Sequence, residues 1–135
     1  MTDREHSAYL YLSRLWSIGR KIRDKEEELR TIGLAQAVRY DRDNVQTSPS
    51  DPMERVGDII DEIREEQVRY VRLQHKLINQ IHGLEDAVSE QILVDRFIHN
   101  KSMRWINSHY NYHKATGYRL FRKALDDFAI KYDTT

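Results

Sequence analysis

Tyr11, Leu15, Ile18, Ile22, Leu29 and Ile32 recur with gaps alternating between four and three, and Lys25 fills the one polar slot. That alternation keeps a stripe on one side of an α-helix, as in a heptad seam, and predicts a helix from about Glu5 to Leu34. Leu12 and Trp16 widen the stripe, which suits bundle packing better than a strict two-stranded coil. Gly19 lies off the stripe and weakens the helix by about 1 kcal/mol against Ala. Glu26, Glu27 and Glu28 stand near Arg20, Lys21, Arg23 and Arg30, a pattern that predicts a solvent-facing ion network.

A second stripe joins Val56, Ile60, Ile63, Gln67, Tyr70, Gln74, Leu77, Ile81 and Leu84, broadened by Ile59, Val71 and Ile78. It predicts a helix from Pro52 to about His82, roughly 45 Å long at 1.5 Å per residue. Gln67 and Gln74 either fix register or mark less buried positions. Between the stripes, Asp41, Asp43, Asn44, Thr47, Ser48, Pro49, Ser50 and Pro52 predict a linker near residues 40–51. Ser50 or Asp51 suits the cap of the next helix, Pro52 its first turn, and Glu54 a capping-box partner. One such helix cannot bury its stripe alone. An antiparallel hairpin and a dimer of hairpins both satisfy the pattern.

Beyond Gly83 the periods shorten. Glu85 and Asp86 can start a third helix carrying Val88, Ile92, Leu93, Phe97 and Ile98. His99, Asn100, Lys101 and Ser102 read as a turn, with Ser102 capping a short helix from Met103 to about His109. Asn111 suits a left-handed turn residue. A last helix then runs from His113 or Lys114 to about Ile130, burying Leu120, Ala124, Leu125 and Phe128, with a frayed tail over residues 132–135. The expected fold is all-α. A long, coiled-coil-like helical hairpin over residues 1–85 precedes a compact helix-turn-helix unit over 86–135.

The 135 residues carry 22 Lys and Arg against 22 Asp and Glu, so the formal net charge is zero, but the charge is segregated. Residues 51–90 hold 5 basic and 10 acidic side chains, and residues 91–135 hold 8 and 4. Residues 101–125 hold six basic side chains and no acidic one: Lys101, Arg104, Lys114, Arg119, Arg122 and Lys123. A local excess of that size makes a positive field on a neutral protein, the footprint expected of a nucleic-acid partner. An ordinary solvated basic face is the plainer alternative. There is no cysteine, which excludes disulfides and thiolate ligands, and no apolar run approaches the ~20 residues of a membrane span. The opening Met1-Thr2-Asp3-Arg4-Glu5 lacks the basic-then-apolar order of a secretory signal, so a cytoplasmic location without membrane partners is expected.

Catalytic chemistry finds little support. His75 and His82 are seven apart, too far for the usual same-helix metal pair, and the turn at residues 110–112 separates His109 from His113. Asp58, Asp61, Glu62, Glu65 and Glu66 read as a solvated helix face. No Gly-rich phosphate loop or nucleophile motif is present, so neither an enzyme, a cofactor nor a metal is expected.

Three helices with a short middle one and a tight turn describe a helix-turn-helix, whose last helix fits the major groove with its N-terminal side chains at base edges. Lys114 and Thr116 suit first-turn contacts to phosphate or base. Arg122 and Lys123 suit phosphate clamps, with Lys101 and Arg104 adding from the preceding element. A solubilising face is the alternative for Arg122 and Lys123.

Ile92-Leu93-Val94-Asp95-Arg96-Phe97-Ile98-His99-Asn100-Lys101-Ser102, Trp105-Ile106, Tyr110-Asn111-Tyr112 and Tyr118-Arg119-Leu120-Phe121-Arg122-Lys123-Ala124-Leu125 resemble the region-four helix-turn-helix of sigma factors. They resemble still more the phage regulators of the ArpU/RinA type, which join such a unit to a long helical N-terminal part. The likeness covers about residues 87–128. It implies that Ile106 packs the first helix of the motif, that Tyr110 is the large residue before the turn, and that Asn111 replaces the usual glycine. It implies base-facing roles for Ala115, Tyr118 and Arg119, with Arg119 placed for a bidentate contact to guanine. Packing of Tyr118 against the preceding helix is the alternative there. Three departures stand out: His113 is a poor cap where Ser or Thr is usual, Trp105 follows the position that commonly holds tryptophan, and Gly117 replaces an anchoring apolar residue. The last predicts a missing core contact and a looser helix.

The resemblance implies sequence-specific binding of double-stranded DNA and regulation of phage or prophage late-gene transcription in a bacterial cytoplasm. The long helices are expected to form a homodimer or higher homo-oligomer. RNA polymerase is a further expected partner. The rivals are a structural or protein-interaction module and a small terminase-like DNA-packaging subunit.

Overall fold

The computed structural model describes residues 1–42 and 52–134. The described residues are helical without strands: α1 (Asp3–Arg42), α2 (Pro52–His82), α3 (Ala87–Leu93), a π-helical turn (Val94–Ile98), α4 (Met103–Tyr110) and α5 (Lys114–Tyr132). A long packed helix pair, α1 and α2, is followed by a compact cluster of shorter helices.

Local chemistry explains the boundaries. Thr2 Oγ1 accepts from the Glu5 N–H at 3.2 Å and Glu5 Oε2 from the Thr2 N–H at 3.3 Å, a reciprocal capping box that starts α1 two residues before the expected Glu5. α1 continues past Leu34 to Arg42, and residues 34–42 hold no Gly or Pro to stop it. Residues 40–42 of the expected linker are thus helical, and the rest of it, with the Ser50 or Asp51 cap, lies outside the described residues. Asp86 caps α3, accepting from the Val88 and Ser89 N–H groups at 2.9 and 3.4 Å. Ser102 caps α4, accepting from the Trp105 N–H at 3.1 Å. Asn111 takes the left-handed conformation, φ 58° and ψ 40°, and closes α4. His113 precedes α5 with no side-chain cap bond.

The chain separates into two compact units whose boundary cuts both long helices: Met1–Trp16 with Arg72–Thr135, and Ser17–Val71. In the second unit only Ile59 and Ile63 are buried among the apolar side chains described. Ile18, Ile22, Leu29, Ile32, Val56, Ile60 and Tyr70 are half-buried. The polar slot of the first stripe is closed by an ion pair, Lys25 Nζ to Glu62 Oε2 at 2.8 Å. Glu28 pairs across to Arg55 at 2.7 Å, while Glu27 pairs with Arg30 along α1 as expected. Gln67 is exposed, and so are Val68 and Val71, while Tyr70 and Gln74 of the second stripe stay half-buried.

The first unit holds most of the core. Ala8, Leu12 and Leu15 of α1 and Leu77 and Ile81 of α2 are buried together with Ile92, Leu93, Phe97, Ile106, Phe121, Leu125 and Phe128. The π-helical turn adds a residue to the register after Leu93 and brings Asp95, Phe97 and Ile98 inward, where an unbroken helix was expected. Phe97 stacks on Trp16 with ring centroids 4.8 Å apart, and Tyr9 meets both edge-on. On α5, Phe121 is buried and Leu120 only partly so, one position from the expected face. The tail is held, not frayed, through Thr134: Ser7 Oγ donates to its carbonyl at 2.7 Å.

Gly117 is buried, and its neighbour accounts for its small size. A Cβ built there would lie 1.7 Å from Asn107 Oδ1 and 2.7 Å from Asn107 Cγ. The expected missing contact is thus filled from α4, by an amide whose Oδ1 is buried without a protein partner. Gly117→Ala therefore overpacks this crossing and should lower unfolding free energy in urea by about 1–3 kcal/mol, despite its better helix propensity. The Asn107→Ala, Gly117→Ala double variant should recover at least the wild-type value.

Candidate nucleic-acid interface

The turn after α4 delivers the first turns of α5 to the surface. Lys114, Ala115, Tyr118 and Arg119 are exposed there, Tyr118 to 46%, and Thr116 is half-buried. Arg104 is exposed on α4. Among the described residues no acidic or hydrogen-bonding side chain is paired with Arg104, Lys114 or Arg119. Met103, Arg104, Asn107, Lys114 and Tyr118 together line a groove of about 520 Å³ between the two helices, and its walls are almost entirely carbon.

The other basic candidates are occupied within the protein. Arg122 Nε donates to Glu5 Oε2 at 2.8 Å, and the two groups lie far apart in sequence but in one compact unit. The guanidinium beside it holds the Glu5 carboxyl below its ordinary value of 4.5, and Glu5 in turn raises the pKa of Arg122. Lys123 Nζ pairs with Asp86 at 2.5 Å and with Asp127 at 3.2 Å, which raises its pKa and lowers that of Asp86. Lys101 is half-buried with Nζ 4.7 Å from the Trp105 ring centroid. The residues expected to clamp phosphate are thus divided: Arg104 and Lys114 stand free, whereas Arg122 and Lys123 tie α5 to α1 and to the cap of α3.

The turn between α3 and α4 is held from beneath. Asp95 is buried, its carboxylate accepting from Tyr110 Oη at 2.6 Å and from Gln91 Nε2 at 3.1 Å, while its carbonyl accepts from the Lys101 N–H at 2.8 Å. Burial and the adjacent carboxylate push the Tyr110 hydroxyl up to about 12. Arg96 reaches the Lys101 carbonyl at 3.3 Å and lies 4.5 Å from the Trp16 ring centroid.

Several of these contributors escaped the sequence pattern. The Lys123–Asp127 spacing of four was legible as a helix-surface pair, and Thr2-x-x-Glu5 as a capping box. Glu5 as the partner of Arg122 was not legible, since nothing local couples them. Among the described residues, no group of three or more His, Cys, Asp or Glu side chains converges as metal ligands, and no helix is long and apolar enough to cross a membrane. No family model, curated protein or solved structure matches the chain.

Two variants probe this scaffold. Tyr110→Phe leaves the buried Asp95 carboxylate short of a donor and should cost about 1–3 kcal/mol at pH 7. A raised folded pKa confers stability that is intact below the ordinary value of 10.0 and is lost as pH rises toward about 12. Alkaline destabilisation in that window should accordingly shrink in the variant, read by urea titration at each pH. Glu5 has the opposite sign. Its lowered pKa gives stability present above 4.5 and lost as pH falls through the folded value. Glu5→Gln should cost about 1–2 kcal/mol at neutral pH and flatten the acid limb of the thermal-melt profile.

Proposed function

We propose that this chain is a duplex-DNA-binding transcription regulator of the helix-turn-helix kind, a binding protein and not an enzyme, acting on phage or prophage late genes in the bacterial cytoplasm. The observation that carries the reading is the set of unpartnered cations, Arg104, Lys114 and Arg119, arranged with exposed Ala115 and Tyr118 where α5 begins. Their charge is unspent within the protein and the backbone turn leaves the start of α5 accessible. A helix presented in this way can enter a major groove, with Arg119 available to guanine and Arg104 and Lys114 to phosphate. Arg122 and Lys123 hold α5 in place and contribute to the flank. The half-buried stripes of Ser17–Val71 support self-association through the long helices, and a two-fold pair would read two half-sites.

Selection from a random duplex pool should enrich one motif, and a mass measurement should give a dimer. On the selected site, Arg119→Ala should lose about 1–3 kcal/mol and relax discrimination at one base position. Arg104→Ala with Lys114→Ala should weaken all duplexes alike and reduce the slope of log affinity against log salt by about two. Absence of any enriched motif, or equal loss on random DNA for Arg119→Ala, would overturn the sequence-reading role. A ring of many subunits would favour DNA packaging.

A further inference from the structure

The groove between α4 and α5 joins an apolar lining to two cations. Its volume, about 520 Å³, falls within the range of small-molecule sites. Met103, Arg104, Lys114 and Tyr118 line it together with Asn107, which sits at the crossing of the two helices, and the lining is mostly apolar. Met103 and aromatic faces favour a flat, polarisable guest. Among the described residues Arg104 and Lys114 have no acidic partner, and the sequence from Arg96 to Leu125 contains no carboxylate to repel an anion. Arg122, anchored on Glu5, has its Cζ 5.8 Å from the Tyr118 ring centroid.

We propose that this groove binds a small aromatic carboxylate, ring between Met103 and Tyr118, carboxylate between Arg104 and Lys114. A planar guanidinium matches a carboxylate bidentately, and the ammonium supplies a second charge. The site stands on its own geometry and does not require the DNA reading, although the two would share Arg104 and Lys114. If both hold, the acid and a duplex compete.

The full chain should be titrated calorimetrically with 2-naphthoate, 2-naphthalenemethanol and acetate. One 2-naphthoate should bind per chain, and the neutral alcohol and the ringless acetate should each bind at least about tenfold more weakly, a difference of about 1.4 kcal/mol. Arg104→Ala and Lys114→Ala replace exposed side chains, so they should keep the wild-type melting curve while each weakens 2-naphthoate roughly tenfold. Amide shifts in a ¹⁵N spectrum should be confined to residues of α4 and the first turns of α5. Equal binding of the alcohol, unchanged affinity in both variants, shifts centred elsewhere, or no heat at millimolar 2-naphthoate would each overturn the proposal. Binding of 2-naphthoate without duplex binding would remove the DNA reading alone, and duplex binding without 2-naphthoate would remove this site alone.

Discussion

Burial of Phe97 is the constraint on which the C-terminal cluster depends. The side chain is wholly inaccessible, and the rings around it come from distant parts of the sequence: Tyr9 and Trp16 on α1 and Phe121 on α5. Three short helices enclose too little apolar surface for an independent core. The cluster here closes only because the first turns of α1 and the last turns of α2 supply Ala8, Leu12, Leu15, Leu77 and Ile81 to it. The π-helical turn follows from the same demand. An extra residue after Leu93 rotates Phe97 into the ring cluster and leaves Asp95 buried, where Tyr110 and Gln91 satisfy its carboxylate.

With the core fixed this way, the charges on α5 separate along its length. Its later turns pack inward, and the cations at that level, Arg122 and Lys123, meet acids brought to them by α1, by the cap of α3 and by the next turn of α5. Its first turns pack on α4 through Gly117 but turn Lys114 and Arg119 outward, and among the described residues these cations meet no acid. A neutral protein can therefore present a local positive surface without a net positive charge. The neutralised cations hold the helix to its neighbours, and the others face solvent. The distinction matters for mutagenesis. An exposed ion pair is worth little, but Glu5 is buried and also belongs to the capping box of α1, so loss of Arg122 would strand a desolvated carboxylate.

The sequence was most informative where structure is set within a few residues. Ser102, Asp86 and Asn111 act locally, through side-chain caps and a left-handed backbone, and each stands where its chemistry predicts. The bounds of α2 followed from Pro52 and Gly83. The π-helical turn was not legible, because its cause is tertiary: the same residues satisfy an ordinary helical period until Phe97 must meet Trp16. Gly117 misled for a related reason. Read alone it is a missing side chain, but α4 places Asn107 against it, so the volume belongs to the crossing of two helices and not to one position. The free or paired state of each basic residue was equally hidden, since a run without carboxylates in sequence says nothing about Glu5 approaching in space.

The long pair poses a different problem. In Ser17–Val71 two helices share stripes that a pair cannot fully cover: Ile59 and Ile63 are buried while their neighbours along both seams stay half-buried. Lys25 on Glu62 and Glu28 on Arg55 agree with the register that burial of Ile59 and Ile63 sets between α1 and α2. Two amphipathic helices cover each other's stripes only along the line where they meet, so the flanking positions keep part of their apolar surface in water. The physical logic resembles that of α5: apolar burial settles the internal geometry, and the ion pairs fall where that geometry brings opposite charges together.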